Sequence, residues 1–313
     1  MPALEQLSSN AVSTGRLTKY QFSSSSLALP TKINVFLPST ASPSSPVPFI
    51  IYLAGLTCNE DTGAQKGAFL NKAGQEGLGV VLVDTSPRDA GIDGEDDDWD
   101  FGSGAGFYIN ATDKKWSKHY NMYDYVVKEL PEVLKEANLG LDNSKVSLMG
   151  HSMGGHGALM LYLRNEGQYK SASAFSPAWS IFCKYSTNGR ADDRLSSNPS
   201  VTPWGKKAFS NYLSPTTKSN PPVEWLEYDS SHLLARSTAA KGSLHILVDV
   251  GTEDDFLKKG QLEPEALKQA AKKSGRSEEE VKVRMQDGFD HSYYFISTFA
   301  PEHVEFHAKY LKA

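Results

Sequence analysis

A serine framed by two glycines is the first feature of this sequence that could carry chemistry. Residues 148–159 read LMGHSMGGHGAL, and Gly150 and Gly154 lie two positions to either side of Ser152. An apolar, strand-like run precedes this G-x-S-x-G pattern and a helical pattern follows it, which is the context of a nucleophile elbow. So tight a turn leaves no room for a Cβ at either glycine. We therefore predict that the Ser152 hydroxyl is presented at a helix N-terminus, where free N–H groups favour developing negative charge.

A serine hydroxyl is a weak nucleophile until a base removes its proton, so a histidine has to reach it. The sequence has eight histidines. His291 follows the last strand-like run, in QDGFDHSYYF, on a glycine-containing loop at the carboxyl end of that strand. His303 and His307 are four residues apart on the last predicted helix, but they lack the H-E-x-x-H pattern of a zinc site and we expect a half-exposed helix face there. His291 is therefore the predicted general base.

The third group should be a carboxylate that orients His291 and stabilises its cationic form. In α/β-hydrolases it falls between the serine and the histidine in chain order. The segment DVGTEDDFL, which starts at Asp249, offers four acids near the end of the penultimate predicted strand. Asp254 lies beyond the turn that Gly251 makes, and we favour it, with Asp255 as the second choice.

Two backbone N–H groups are needed to hold the oxyanion of an acyl-transfer intermediate. One usually belongs to the residue after the nucleophile, here Met153, and the other to a loop after an earlier strand. YLAGLTC at 52–58 ends such a strand, and Leu56 follows its glycine. Leu56 and Met153 are the predicted donors.

These residues require a scaffold, and short apolar runs that alternate with helical patterns supply one. The predicted buried strands cover residues 48–55, 79–84, 145–150, 171–176, 244–251 and 281–286. The predicted helices cover residues 63–76, 121–137, 153–165, 261–274 and 292–311, with a kink or break expected at Pro131. This alternation predicts an α/β fold with a mostly parallel, doubly wound sheet of about eight strands. LTKYQFSS and KINVFLP, before the first of these strands, predict an antiparallel pair at the N-terminal edge.

Residues 177–243 interrupt the alternation because they are rich in Pro, Trp and Ser and weak in strand pattern. They are too long for a plain connection. They also follow a strand at the end of the sheet where open α/β sheets bind ligands. We interpret them as a cap-like insertion in a single domain that spans residues 1–313.

Composition narrows the classes of partner. A formal charge of -5, with no basic stripe, argues against nucleic acid and anionic membranes. The longest apolar run, residues 49–56, is far shorter than the roughly 20 residues of a membrane span. Two cysteines, Cys58 and Cys183, are too few for a disulfide framework or a cysteine-based zinc site. The composition therefore favours an intracellular protein.

Six separated motifs resemble one known family. They read GHSMGGHGAL, DTSPR, GEDDDWDFGSGAGFY, PWGKKAFSNYL, GQLEPE and DHSYYF. Together, from about residue 17 to the C-terminus, they are similar to S-formylglutathione hydrolases, the esterase D family. The resemblance implies an α/β-hydrolase fold and hydrolysis of S-formylglutathione to glutathione and formate in formaldehyde detoxification. It also implies activity on small esters, no cofactor or metal, a cytoplasmic setting and a homodimer.

The resemblance also assigns residues. The triad of the family falls on Ser152, Asp254 and His291, and its glutathione-side pocket suggests Cys58 and Trp204. Because glutathione carries two carboxylates, we expect Lys206 or Lys207 to supply a cation. The sequence departs from the family pattern at 180–203, which is longer here. Two other functions stay open: a carboxylesterase for unrelated small esters, and a non-catalytic binding protein.

Overall fold

The computed structural model describes residues 3–12, 14–177, 203–216 and 222–313, without the side chains of Pro203 and Trp204. One nine-stranded sheet organises these residues. Its strands are β1 (Glu5–Val12), β2 (Gly15–Ser24), β3 (Leu29–Pro38), β4 (Val47–Leu53), β5 (Gly79–Val83), β6 (Leu141–His151), β7 (Ala172–Phe175), β8 (Ile246–Gly251) and β9 (Val281–Gln286). Their order in the sheet is β1-β2-β3-β5-β4-β6-β7-β8-β9.

The direction of the strands agrees with the predicted fold class. β1, β2 and β3 pair antiparallel, and β3 joins β5 antiparallel, whereas every pair from β5 through β4 to β9 is parallel. Parallel strands place their carboxyl ends at one edge of the sheet. The ends of β4, β6, β7, β8 and β9 therefore lie side by side, and the candidate site forms there.

β1 was not predicted, and this makes the sheet nine strands rather than about eight. Its sequence EQLSSNAV has no buried position, because β1 is an edge strand with water on both faces. Such a strand shows no apolar alternation. It exists because its backbone pairs with β2.

Helices cover both faces of the sheet. They are α1 (Glu60–Lys66), α2 (Phe69–Gln75), α3 (Met122–Asp124), α4 (Leu130–Ala137), α5 (Met153–Arg164), α6 (Pro203–Tyr212), α7 (Val223–Leu226), α8 (Ser230–Arg236), α9 (Asp255–Lys258), α10 (Pro264–Lys273) and α11 (Tyr293–Leu311). A π-helical turn, Tyr125–Glu129, joins α3 to α4 just before Pro131. Proline lacks an N–H and its ring crowds the preceding turn, so the wider turn falls where the break was expected.

The single helix predicted over 63–76 is wrong in detail. Two helices occupy this region, and they meet at Gly67 and Ala68. Ala68 has a φ of 56°, so the chain cannot continue helically through it. Alanine is a good helix former, so nothing in the residue type at position 68 indicates the break and the two helices were predicted as one.

The described part of 177–243 contains α6, α7 and α8, and α6 packs on the rest of the chain. Tyr212 of α6 stacks on Phe101 and Tyr120, with ring centroids 4.6 and 5.1 Å away. Phe209 of the same helix meets the ring of Phe107 edge-on. Both α6 side chains are fully buried in the larger hydrophobic cluster of the chain, which also contains residues of the central strands.

Candidate active site

Ser152 lies at the sharp turn between β6 and α5. Its φ of 53° and ψ of −119° are unusual for a residue with a side chain. A Cβ on Gly150 would come within 2.1 Å of the Gly154 carbonyl oxygen, and one on Gly154 within 2.0 Å of the Leu53 carbonyl oxygen. Both glycines are therefore required by the close approach of three backbone segments. The Ser152 N–H donates to the Phe175 carbonyl at 2.9 Å, which ties the turn to β7.

His291 and Asp254 come together from loops 37 residues apart in sequence. His291 lies between β9 and α11, and its Nδ1 is 2.6 Å from Asp254 Oδ2. Asp254 is completely buried and caps α9, where its other oxygen accepts from the Phe256 N–H at 2.8 Å. Asp255, the second choice, is an exposed residue in the first turn of α9. The geometry thus places Asp254 rather than Asp255 on the imidazole.

The ionised Asp254 carboxylate determines which ring nitrogen of His291 carries a proton. Burial alone would raise the pKa of the Asp254 carboxyl, but the hydrogen bond and charge of His291, together with the Phe256 N–H, outweigh it and lower that pKa. An ionised carboxylate only accepts hydrogen bonds. His291 Nδ1 therefore carries a proton and donates it to Asp254, which leaves Nε2 free to accept one.

Ser152 and His291 line the same cavity of about 190 Å³. The other residues along its wall are Gly55, Leu56, Cys58, Trp99, His151 and Phe256. The side chains of Ser152 and His291 share no direct hydrogen bond. Hydrogen bonds between a nucleophile and its base commonly tighten only when substrate is bound. The cavity therefore brings a nucleophile and a base to one small space.

Backbone N–H groups are available beside Ser152. Leu56 lies on the cavity wall in the loop after β4, and Met153 begins α5. Among the described residues, neither of these two amides has an acceptor. Both are consistent with oxyanion donors, because a donor already engaged in the fold could not serve an intermediate.

His151, which directly precedes Ser152 in the sequence, also lines the cavity. Its ring centroid is 4.7 Å from that of His291 and 5.7 Å from that of Tyr293. Burial, reinforced by the charge of His291, lowers the pKa of His151 well below its usual value. His151 is therefore neutral and does not oppose a positive charge on His291. Its position next to Ser152 in the sequence was the available signal.

Trp99 and Phe256 are two further cavity residues that the sequence reasoning missed. Phe256 meets the His291 ring edge-on at 4.6 Å, and Trp99 is 56% exposed at the mouth of the cavity. Trp99 lies inside GEDDDWD, which belongs to one of the six motifs of the sequence that resemble the family. An aromatic residue within an exposed acidic loop was a signal for a binding surface.

The predicted substrate residues are distributed differently. Cys58 lines the cavity, and burial raises the pKa of its thiol. Lys206 is exposed on α6, while the Lys207 ammonium already pairs with Asp98 at 2.8 Å and Asp100 at 2.6 Å. The Trp204 side chain and Cys183 lie outside the described residues, as does most of 180–203.

The expectation for His303 and His307 is wrong, because both side chains are completely buried. His307 bridges the Ser171 and Ser173 hydroxyls at 2.7 and 2.8 Å, and His303 Nε2 is 3.1 Å from Asp249. These contacts fix α11 against β7 and β8. Within the part of the chain that the structure describes, no three His, Cys, Asp or Glu side chains cluster as metal ligands would.

None of the helices in the described ranges combines the length and the apolar character needed to cross a bilayer.

A mostly parallel sheet that carries a serine on a strand-to-helix elbow defines an α/β-hydrolase. The model of a family described as "Putative esterase" matches residues 24–306. S-formylglutathione hydrolase from Mus musculus is 42% identical, with 99% of this chain and 100% of that protein covered. The enzyme of the same name from Arabidopsis thaliana is 39% identical, with coverage of 99% and 98%. The solved structure of an S-formylglutathione hydrolase from Agrobacterium tumefaciens has a TM-score of 0.83 and 35% identity, covering 98% of this chain and 99% of that one. The chain belongs to the S-formylglutathione hydrolase family of esterases.

Proposed function

We propose that this protein hydrolyses S-formylglutathione to glutathione and formate, with side activity on small esters. The observation that carries the proposal is the elbow serine in one cavity with a histidine whose Nδ1 is bound by a buried carboxylate. The relatives at 39–42% identity support the substrate. The small cavity suits a one-carbon acyl group, whereas the peptide part of the substrate has to extend outward past Trp99.

The chemistry follows from the positions of the protons. His291 Nε2 takes the proton of the Ser152 hydroxyl as its oxygen attacks the formyl carbon, and the Leu56 and Met153 amides hold the oxyanion. The carbon–sulfur bond then breaks, and the imidazolium protonates the departing glutathione thiolate. Water, deprotonated by the same Nε2, attacks the formyl-serine and releases formate. Asp254 stabilises the imidazolium in both halves of the reaction and stays ionised.

Replacement of the nucleophile tests this scheme. Ser152→Ala should lower kcat for S-formylglutathione by about 10⁴-fold or more, because binding and the oxyanion hole alone give only modest catalysis. A fluorophosphonate should label the wild type and leave Ser152→Ala unlabelled. Activity of Ser152→Ala within about tenfold of the wild type would contradict the assignment of Ser152. An unlabelled wild type would favour a non-catalytic binding protein.

A carboxylesterase for other small esters is the second candidate, and membership of an esterase family favours keeping it. Comparison of kcat/KM for S-formylglutathione with that for a simple acetate ester separates the two. We expect the thioester to be preferred. Preference for the acetate ester would overturn the substrate and leave the serine mechanism intact.

We further propose that the protein is a cytoplasmic homodimer that acts in formaldehyde detoxification without a cofactor or metal, and that it does not bind nucleic acid. The formal charge of -5 and the resemblance to the family support this. Light scattering of the purified protein would measure the oligomeric state.

We also propose that 177–243 forms a cap within a single domain, since α6 packs against the loop that contains Trp99.

A further inference from the structure

The loop after β4 holds the Leu56 amide in a strained turn. Thr57, the next residue, has a φ of 67°, in the left-handed region that β-branched residues avoid. Backbone in such a conformation persists only where surrounding contacts enforce it. The question is which contacts enforce this one.

Contacts on both sides of Thr57 hold the turn in place. The Thr57 N–H donates to the Gly104 carbonyl at 3.0 Å. The Cys58 carbonyl accepts from Thr85 Oγ1 at 2.6 Å and from an Arg88 Nη at 2.7 Å. The peptide groups that follow Leu56 are therefore fixed by the segment after β5.

Arg88 is itself held rigidly. Its Nε lies 3.1 and 3.0 Å from the two Asp84 oxygens, and the Nη that reaches Cys58 also lies 2.6 Å from Asp84 Oδ1. Asp84 is buried at the end of β5 and accepts the Thr85 N–H at 2.7 Å. A planar guanidinium can satisfy a carboxylate and a carbonyl together, which an ammonium cannot do equally well.

We propose that Arg88, held by Asp84, is a positioning residue that orients the Leu56 amide toward the oxyanion. This inference rests on the proposed function, since it concerns the same acyl transfer. The alternative role is direct binding of a substrate carboxylate, because 35% of the Arg88 side chain is exposed. The two roles affect different kinetic constants. An oxyanion donor acts on kcat, whereas a contact with the peptide part of the substrate acts on KM.

The test compares Arg88→Met with the wild type on a small uncharged acetate ester and on S-formylglutathione. We expect kcat to fall by roughly 10- to 100-fold for both substrates, with KM within about twofold, because misplacement of one oxyanion donor costs part of its full contribution. Affinity for a trifluoromethyl ketone, which forms an oxyanion with the serine, should fall by a similar factor. Arg88→Lys should restore part of kcat.

Two further variants guard against simple loss of folding. Arg88→Met alone leaves the buried Asp84 carboxylate unpaired. The double variant Asp84→Asn/Arg88→Met removes that charge and should show the same kcat loss. Arg276→Met is the matched control, since Arg276 is a buried, paired arginine that also binds backbone carbonyls, those of Ala239 and Ala240, but lies outside the cavity lining. It should lower stability and keep kcat per folded molecule.

The inference is overturned if Arg88→Met keeps the wild-type kcat per folded molecule, or if it raises only KM for S-formylglutathione. A wild type inactive on both substrates would instead overturn the proposed function before any variant is compared, and this inference with it.

Discussion

At the scale of single residues, the site depends on an ionised Asp254 that is entirely excluded from water. The buried Asp254 carboxylate is stable because its hydrogen bonds with His291 and with the Phe256 N–H compensate for the lost hydration. The arrangement fixes one tautomer of His291, and only that tautomer offers Nε2 to the serine. The neutral His151 ring beside it adds bulk without charge.

Asp254→Asn should therefore reduce kcat far more than it reduces stability. The amide can donate to Nδ1 and so favours the wrong tautomer, for which a loss on the order of 10⁴-fold in kcat is expected. Asp255→Asn is the control, since Asp255 is exposed and lies one position away. Comparable losses in the two variants, measured by steady-state kinetics with circular dichroism to check folding, would contradict the assigned role of Asp254.

At the scale of elements, α6 connects the insertion to the cavity through Lys207. Its two ion pairs hold Asp98 and Asp100, the residues on either side of Trp99. The structure thus suggests a different role for this lysine from the substrate cation expected from sequence. Lys206, the neighbouring exposed residue, is still a candidate for that role.

Lys207→Met and Lys206→Met should separate the two roles. Loss of the Lys207 pairs releases the Trp99 loop, so KM should rise several-fold for the thioester and for a neutral ester alike. Lys206→Met should raise KM only for S-formylglutathione, if its ammonium meets a glutathione carboxylate. Unchanged KM values in Lys207→Met would show that the ion pairs do not position Trp99.

Elements whose sequence pattern matches their burial could be predicted. Elements that depend on single backbone dihedral angles, or on contacts with residues far away in sequence, could not. The central strands β4 and β5 are almost entirely apolar because both their faces are covered, so their positions followed from the sequence. The polar edge strand β1 gave no pattern, and the break at Ala68 depends on one dihedral angle. Ser152 and His291 were identifiable from their spacing and neighbours. The environments of Lys207 and His303 depend on residues far away in sequence, so they were not.

At the scale of the whole molecule, buried histidines make stability depend on pH. Burial lowers the pKa of His156 to about 4, and it lowers the pKa of His307 and His151 well below the usual value. Below about pH 6.5 these histidines bind protons in the unfolded chain but stay neutral in the folded chain. The free energy of unfolding therefore falls as the pH drops from 6.5 toward 4, and each such histidine adds to the slope.

His156→Leu should flatten this dependence. For a pKa shift from 6.5 to about 4, His156 should account for about 2 kcal/mol of the stability lost between pH 7 and pH 5. Urea unfolding at both pH values, for the wild type and the variant, measures the difference directly. Parallel pH dependences would show that His156 does not titrate as described; a uniform offset between the curves reflects packing alone.

The left-handed residues near the cavity have a consequence for attempts to engineer this enzyme. Ser152, Thr57 and Ser176, with φ of 53°, 67° and 39°, follow the neighbouring strands β6, β4 and β7. Backbone strain is thus concentrated at the end of the sheet that carries the catalytic residues. Replacements that relax these turns should raise the free energy of unfolding and lower kcat. Heat-resistant variants should therefore be sought at the opposite end of the sheet and along its polar outer strand.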